Sequence, residues 1–124
     1  VRRSAAGSSG RAARCTATPR RSGTGGERLF AGLPQPMQVG RYHSLIVAPT
    51  PEMERHLTVD AASGEGEVMA LSHRSHPTWG IQFHPESVLT ENGHALFSNF
   101  LKEARAWRAA GASERTDRLA DAVV

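Results

Sequence analysis

The apolar positions change period along the chain, and each change marks an element. Val39 to Val47 alternates and ends in the apolar run Leu45-Ile46-Val47, which predicts a strand closed by Pro49 and Pro51. Leu57 to Ala62 reads as a second strand, Ser63-Gly64-Glu65-Gly66 as a turn, and Glu67 to Ser72 as a third strand. The two strands and the turn predict a hairpin. Trp79 to Phe83, after the break at Pro77, reads as a fourth strand. Pro85 ends it, because proline lacks an N–H and disfavours helical geometry at the preceding His84. A helical period follows: Leu96, Phe97, Phe100, Leu101, Ala104 and Trp107 fall on one face, with Lys102, Glu103 and Arg105 off it. Thr90 suits an N-cap with Glu91 in the first turn, and Gly111 suits a stop. Residues 112–124 are polar and Ala-rich, and read as a frayed extension or tail.

Residues 1–26 show no such pattern. They contain no Ile, Leu, Met, Phe, Trp or Tyr, and they hold six Arg and no acid. A segment with so little to bury does not offset its ordering entropy, so it is expected to be disordered on its own. The domain reading is therefore a basic segment over 1–26, a globular piece over 27–110 and a tail over 111–124. The net charge of +3 belongs to the first segment, since residues 27–124 carry 9 basic and 12 acidic groups. The length allows one domain at most. No apolar run approaches the roughly 18 residues of a membrane span. The single Cys, Cys15, excludes an internal disulfide framework.

The chemistry concentrates in Gln82-Phe83-His84-Pro85-Glu86-Ser87. His84 stands where a strand ends, and in extended backbone residues i and i+2 point to the same side, so Glu86 can orient the imidazole. A carboxylate that fixes the tautomer of a histidine base is the base-and-orienter half of a nucleophilic triad. Taken alone, His-Pro-Glu fits a strand-ending turn with a solvated carboxylate better. Elsewhere, His73 and His76 form a His-x-x-His pair that reads as a solvated loop, with no further ligands nearby for a metal. His56 and His94 read as surface residues, and Trp79, Trp107, Phe97 and Phe100 as core. Ser44 has no adjacent base, which argues against a serine hydrolase.

The context of His-Pro-Glu shifts that balance. Trp79 through Thr90, then Gly93 and Asn99-Phe100-Leu101, resembles the triad glutamine amidotransferases. Leu29-Phe30-Ala31-Gly32-Leu33-Pro34 and Arg41-Tyr42-His43-Ser44-Leu45 narrow the resemblance to the glutaminase components of anthranilate synthase and aminodeoxychorismate synthase. It covers about Glu27 to Trp107. The resemblance implies an α/β fold, the C-terminal half of a flavodoxin-like mixed-sheet domain, contributing antiparallel strands, the strand ending at His84 and the last helix. It implies His84 as the base, Glu86 as its orienting carboxylate, backbone around Ser44 and Leu45 as the glutamine-holding element, and a positional role for His43. It also implies L-glutamine as substrate, a chorismate-binding synthase subunit (component I) as partner, no cofactor, no metal, no membrane and a cytoplasmic setting. His-Pro-Thr-Trp-Gly tilts the choice slightly toward aminodeoxychorismate (p-aminobenzoate, folate) over anthranilate (tryptophan).

The sequence departs from that family at the nucleophile. The family's Cys lies in a Gly-x-Cys-x-Gly elbow in the first half of the domain. Cys15 sits in Ala13-Arg14-Cys15-Thr16-Ala17, without elbow glycines, and reads as an incidental thiol. The chain alone is therefore expected not to hydrolyse glutamine. For residues 1–26 there are three readings: a nucleic-acid-binding arm, a transit peptide, and an out-of-frame translation. The last is favoured. With the frame shifted, Ala5 to Arg11 permits Gly-Gly-Arg-Val-Val-Arg-Ala and Arg14 to Ala17 permits Val-His-Gly. These resemble family elements in order and offset, and they run into the in-frame Gly26-Glu27-Arg28-Leu29-Phe30.

Overall fold

A computed structural model describes residues 2–3, 13–19, 27–43 and 45–123. In chain order these form β1 (Arg2–Arg3), β2 (Ala13–Pro19), α1 (Glu27–Phe30), β3 (Met37–Arg41), β4 (Leu45–Ile46), α2 (Pro51–His56), β5 (Leu57–Ala62), β6 (Val68–His73), β7 (Trp79–Ile81) and α3 (Gly93–Val123). Five strands pair antiparallel in the order β3-β2-β5-β6-β7, and β1 pairs with β4. Among the described residues no helix is long and apolar enough to cross a membrane.

The β5–β6 hairpin follows the predicted pattern. Its turn is closed by Ser63 N–H donating to the Glu67 carbonyl (2.8 Å) and Gly66 N–H to the Ser63 carbonyl (2.9 Å). The register shifts between Val59 and Ala61. That bulge leaves Asp60 without a cross-strand partner, and its side chain lies fully buried.

The core is built from Met37 and Val39 of β3, Ala17 of β2, Met69 and Ala70 of β6, Phe83, the α1 region (Leu29, Phe30, Leu33) and Leu96 of α3. Phe30 meets Phe83 with ring centres 6.4 Å apart. Asn99 ties α3 to α1, its Nδ2 donating to the carbonyls of Leu29 (3.0 Å) and Ala31 (2.9 Å).

Several elements differ from the sequence reading. Most of 1–26 lies outside the described residues, but Ala13–Pro19 is described and forms a strand between β3 and β5. Strand pairing uses backbone groups, so small residues such as Cys15 and Ala17 serve in that slot without a large apolar side chain. The predicted strand 39–47 is split, β3 ending at Arg41 and β4 starting at Leu45. Thr50 N-caps α2, its side chain accepting from Met53 N (3.2 Å), with Pro51 at the start of the helix. Helix α3 starts at Gly93, after Asn92 at φ +57°, because the Thr90 side chain is engaged elsewhere. It runs through Gly111, since a single glycine in an Ala-rich helix costs only about 1 kcal/mol. Phe97, Phe100, Leu101 and Trp107 are not core: they are 40–51% exposed, and Leu96 is the buried member of that face. The helix lies along α1 with Leu96 in the core, and Phe100 meets the partly buried Trp79, ring centres 5.8 Å apart.

Candidate active site

After β7 the chain crosses from β6 to the outer edge of β3. Gln82 N–H donates to the Met69 carbonyl (2.9 Å), and Phe83 then plugs into the core. His84 N–H donates to the Gly40 carbonyl (3.0 Å), and Glu91 N–H to the Gln38 carbonyl (2.9 Å). The Thr90 hydroxyl links both sides, accepting from Gly40 N–H (2.8 Å) and donating to the His84 carbonyl (2.5 Å). Residues 84–91 thus lie along β3 and fix the backbone of His84 against it.

Two glycines make that approach possible. A Cβ at Gly40 would stand 2.8 Å from Ser87 Oγ and 3.1 Å from Leu89 Cβ. A Cβ at Gly93 would overlap the Pro85 carbonyl oxygen, far inside van der Waals contact.

His84 Nδ1 lies 2.7 Å from Glu86 Oε1. The Glu86 carboxyl is held below its usual range, by its own backbone N–H and then by the His84 ring. An ionised carboxylate only accepts, so Nδ1 carries a proton, and in the neutral imidazole Nε2 presents a lone pair. The pair is partly exposed (side chains 34% and 66%), so its contribution is orientation more than stability. The ring of Tyr42 stands edge-on to His84, centres 4.8 Å apart at 83°, and its hydroxyl shares a 2.7 Å hydrogen bond with Ser87 Oγ. His43 Nε2 lies 3.0 Å from His84 Nε2.

His84 and Glu86 are brought together, but the expected strand to Phe83 ends at Ile81, and a turn over Pro85-Glu86, closed by Ser87 N–H on the His84 carbonyl (3.2 Å), replaces the expected extended backbone. Of the other predicted site residues, Ser44 lies outside the described residues, and Leu45 is half exposed in β4, two residues beyond His43. Cys15 sits in β2 opposite Val39 and packs against the core. Burial raises its pKa, and the charges that reach it are those of Arg41, Glu65 and Glu67. His73 Nδ1 accepts from the backbone N–H groups of Ser75 and His76, both at 3.1 Å, which ties down the β6–β7 loop. Among the described residues no group of three or more His, Cys, Asp or Glu converges as a metal site. Tyr42, Ser87 and Thr90 were not singled out for the site by sequence reasoning. The available signal was that Tyr42 and His43 share a motif with Arg41, and that Ser87 and Thr90 follow His-Pro-Glu.

An imidazole whose Nδ1 is held by a carboxylate has the arrangement that a base and its orienting acid take in acyl-transfer sites. The chain belongs to the glutamine amidotransferase class-I family, whose profile matches residues 1–104. It is 52% identical over 85 residues to an aminodeoxychorismate synthase of Streptomyces griseus, covering 68% of this chain and 11% of that protein. It is 47% identical over 76 residues to aminodeoxychorismate synthase component 2 of Klebsiella aerogenes, covering 61% and 40%. It is 44% identical over 80 residues to aminodeoxychorismate/anthranilate synthase component 2 of Bacillus subtilis, covering 64% and 41%. The chain thus spans less than half the length of these relatives. A solved structure described as a GMP synthase subunit from Thermoplasma acidophilum shares the fold with a TM-score of 0.67 and 25% identity, over 80% of this chain and 46% of that one.

Proposed function

We propose that this chain carries the acid–base half of the glutaminase component of a chorismate-aminating synthase, of aminodeoxychorismate or anthranilate type. The observation that carries the proposal is the 2.7 Å His84–Glu86 contact in the segment beyond β7, which leaves Nε2 of the neutral His84 imidazole free of a proton. The nucleophile would be a Cys thiol from the family's Gly-x-Cys-x-Gly elbow, which this sequence does not contain. His84 Nε2 takes the thiol proton as sulfur attacks the amide carbon of L-glutamine. It returns the proton to the leaving nitrogen, giving ammonia and a γ-glutamyl thioester. Water, deprotonated by the same nitrogen, then releases glutamate and the thiol. Glu86 holds the imidazolium and its orientation throughout. The backbone near Ser44 and Leu45 is the proposed glutamine-holding element.

The relatives' names, component 2 among them, support a partner subunit that receives the ammonia. A cytoplasmic setting accords with that biosynthetic role. The engagement of Ala13–Pro19 in the sheet favours this reading over a nucleic-acid-binding arm. The out-of-frame origin of residues 1–26 belongs to the same proposal, and a clean in-frame nucleotide read upstream of Glu27 would sink that part.

The test is glutaminase activity. With a Gly-x-Cys-x-Gly half restored upstream of Glu27, the protein should release glutamate from L-glutamine. His84→Ala should lower kcat by about 10²–10⁴, the range of a lost general acid–base. Unchanged turnover in His84→Ala would reject the assignment.

A further inference from the structure

We infer that His43 is a positioning residue that caps the proton-accepting nitrogen of His84, forming an end-to-end imidazole pair that a nucleophile must open. Its catalytic meaning rests on the function proposed above; the bond itself does not. With Nδ1–H donated to Glu86, the remaining hydrogen-bonding atom of His84 is the Nε2 lone pair. His43 Nε2 stands 3.0 Å from it. The ring centres are 5.1 Å apart and the planes differ by 28°, so the nitrogens are far closer than the rings. The two imidazoles meet at their tips, not face to face. Two lone pairs cannot share that line, so His43 carries its proton on Nε2 and donates it to His84.

The fold delivers this contact. β3 ends at Arg41, whose guanidinium is held inside by Glu67, Nη1 to Oε2 at 2.6 Å. Beyond that anchor Tyr42 and His43 leave the strand on the edge along which residues 84–91 run. Tyr42, tethered to Ser87, stands against the His84 ring and restricts its rotation. Glu86 at Nδ1 and His43 at Nε2 then hold the ring from both ends. The groups around the imidazole are Glu86, His43, Tyr42 and Ser87, and Glu86 is the anionic member.

The lone pair required for proton transfer is therefore occupied before a nucleophile arrives. A thiol S–H has to displace the His43 N–H, exchanging one donor for another at the same acceptor. The pair keeps His84 in the productive tautomer and ring plane, and it shields the base from other electrophiles and acids.

The experiment uses the full chain labelled with ¹⁵N, above the imidazole titration range. Long-range ¹H–¹⁵N spectra should show His84 with a protonated Nδ1 and an unprotonated Nε2, and His43 with a protonated Nε2. His43→Ala should move the His84 Nε2 resonance and leave Nδ1 in place. His43→Gln, whose amide can still donate, should restore most of the shift. In parallel, acylation of His84 by diethyl pyrocarbonate, followed by peptide mass spectrometry, should rise about fivefold in His43→Ala. That is the factor set by a hydrogen bond of ordinary net strength. It should fall back in His43→Gln, with His73 as internal reference. A proton on His84 Nε2 in the unsubstituted chain, or an unchanged acylation rate in a folded His43→Ala, overturns the inference. The ¹⁵N spectrum of the unsubstituted chain decides alone if the alanine variant does not fold. Loss of glutaminase function in the restored protein would reject the proposed reaction and leave these readouts untouched.

Discussion

Replacing Gly93 by Ala sets two effects against each other, and the structure decides the sign. Helix propensity alone favours the change, by about 0.4–1 kcal/mol. Sterics oppose it, because the new Cβ would overlap the Pro85 carbonyl oxygen, a backbone atom that cannot rotate away. Forcing such an overlap typically costs about 1–3 kcal/mol, toward the upper end when backbone has to shift. The expected net is a loss of about 1–2 kcal/mol. Pro85 lies between His84 and Glu86, so the 2.7 Å contact should loosen as well. Gly64→Ala is the matched control: its Cβ would meet Thr16 Oγ1 at 3.7 Å, an ordinary contact, in backbone outside the left-handed region. Urea unfolding followed by circular dichroism measures both, and the midpoint for Gly93→Ala should drop by about 0.5–1 M at the usual slope for small proteins. A Gly93→Ala chain as stable as the unsubstituted one, or as Gly64→Ala, would refute the reasoning.

Three further expectations concern stability. Glu67→Leu should cost about 3–5 kcal/mol, because it strands a buried arginine, whereas the double variant Arg41→Met/Glu67→Leu should match or exceed the unsubstituted chain. Arg41 Nε and Nη2 are already buried without partners, and a urea double-mutant cycle reads the difference. Asp60 is buried with Oδ2 unpaired, and burial raises its pKa despite the hydroxyl of Ser72 and the charge of Arg28. The folded state therefore holds the Asp60 proton more tightly than the unfolded chain does. Stability from this group is greatest below the ordinary carboxyl range and is lost as pH rises through the raised folded value, so the advantage of Asp60→Asn should grow with pH across that window. Removing residues 1–26 takes away β2, which joins β3 to β5, so residues 27–110 alone should be marginally stable or aggregate, and a cooperative thermal melt of that fragment would contradict it.

The hairpin was legible because its alternation, turn residues and partner strand are all local. The His84–Glu86 pair was legible from its spacing, though a turn makes the contact where extended backbone was expected: Ser87 N–H donates to the His84 carbonyl (3.2 Å) across Pro85-Glu86. What escaped the sequence depends on distant contacts. The break after Arg41 is set where Glu67 captures its guanidinium, and that break turns Tyr42 and His43 toward His84. Thr90 carries a cap's side chain, but its hydroxyl serves Gly40 and His84 instead. The apolar period over 96–107 marks a helix correctly yet does not say which part of the face is covered. α2 carried a readable signal in Thr50-Pro51-Glu52, an N-cap, a proline at the first turn and an acid, which the reading of prolines as strand terminators obscured.

The hydroxyl of Thr90 has a kinetic consequence. Gly40 and His84 are 44 positions apart in sequence, and no local contact along the chain sets their distance. Closing a loop of that length is an entropic barrier that neighbouring contacts do not repay until β3 and the 84–91 segment are both in place. The imidazole is thus expected to acquire its orientation only after both segments have docked. A nascent or partly unfolded chain would display the His-Pro-Glu segment without an aligned base, so acid–base competence would switch on together with the completed fold.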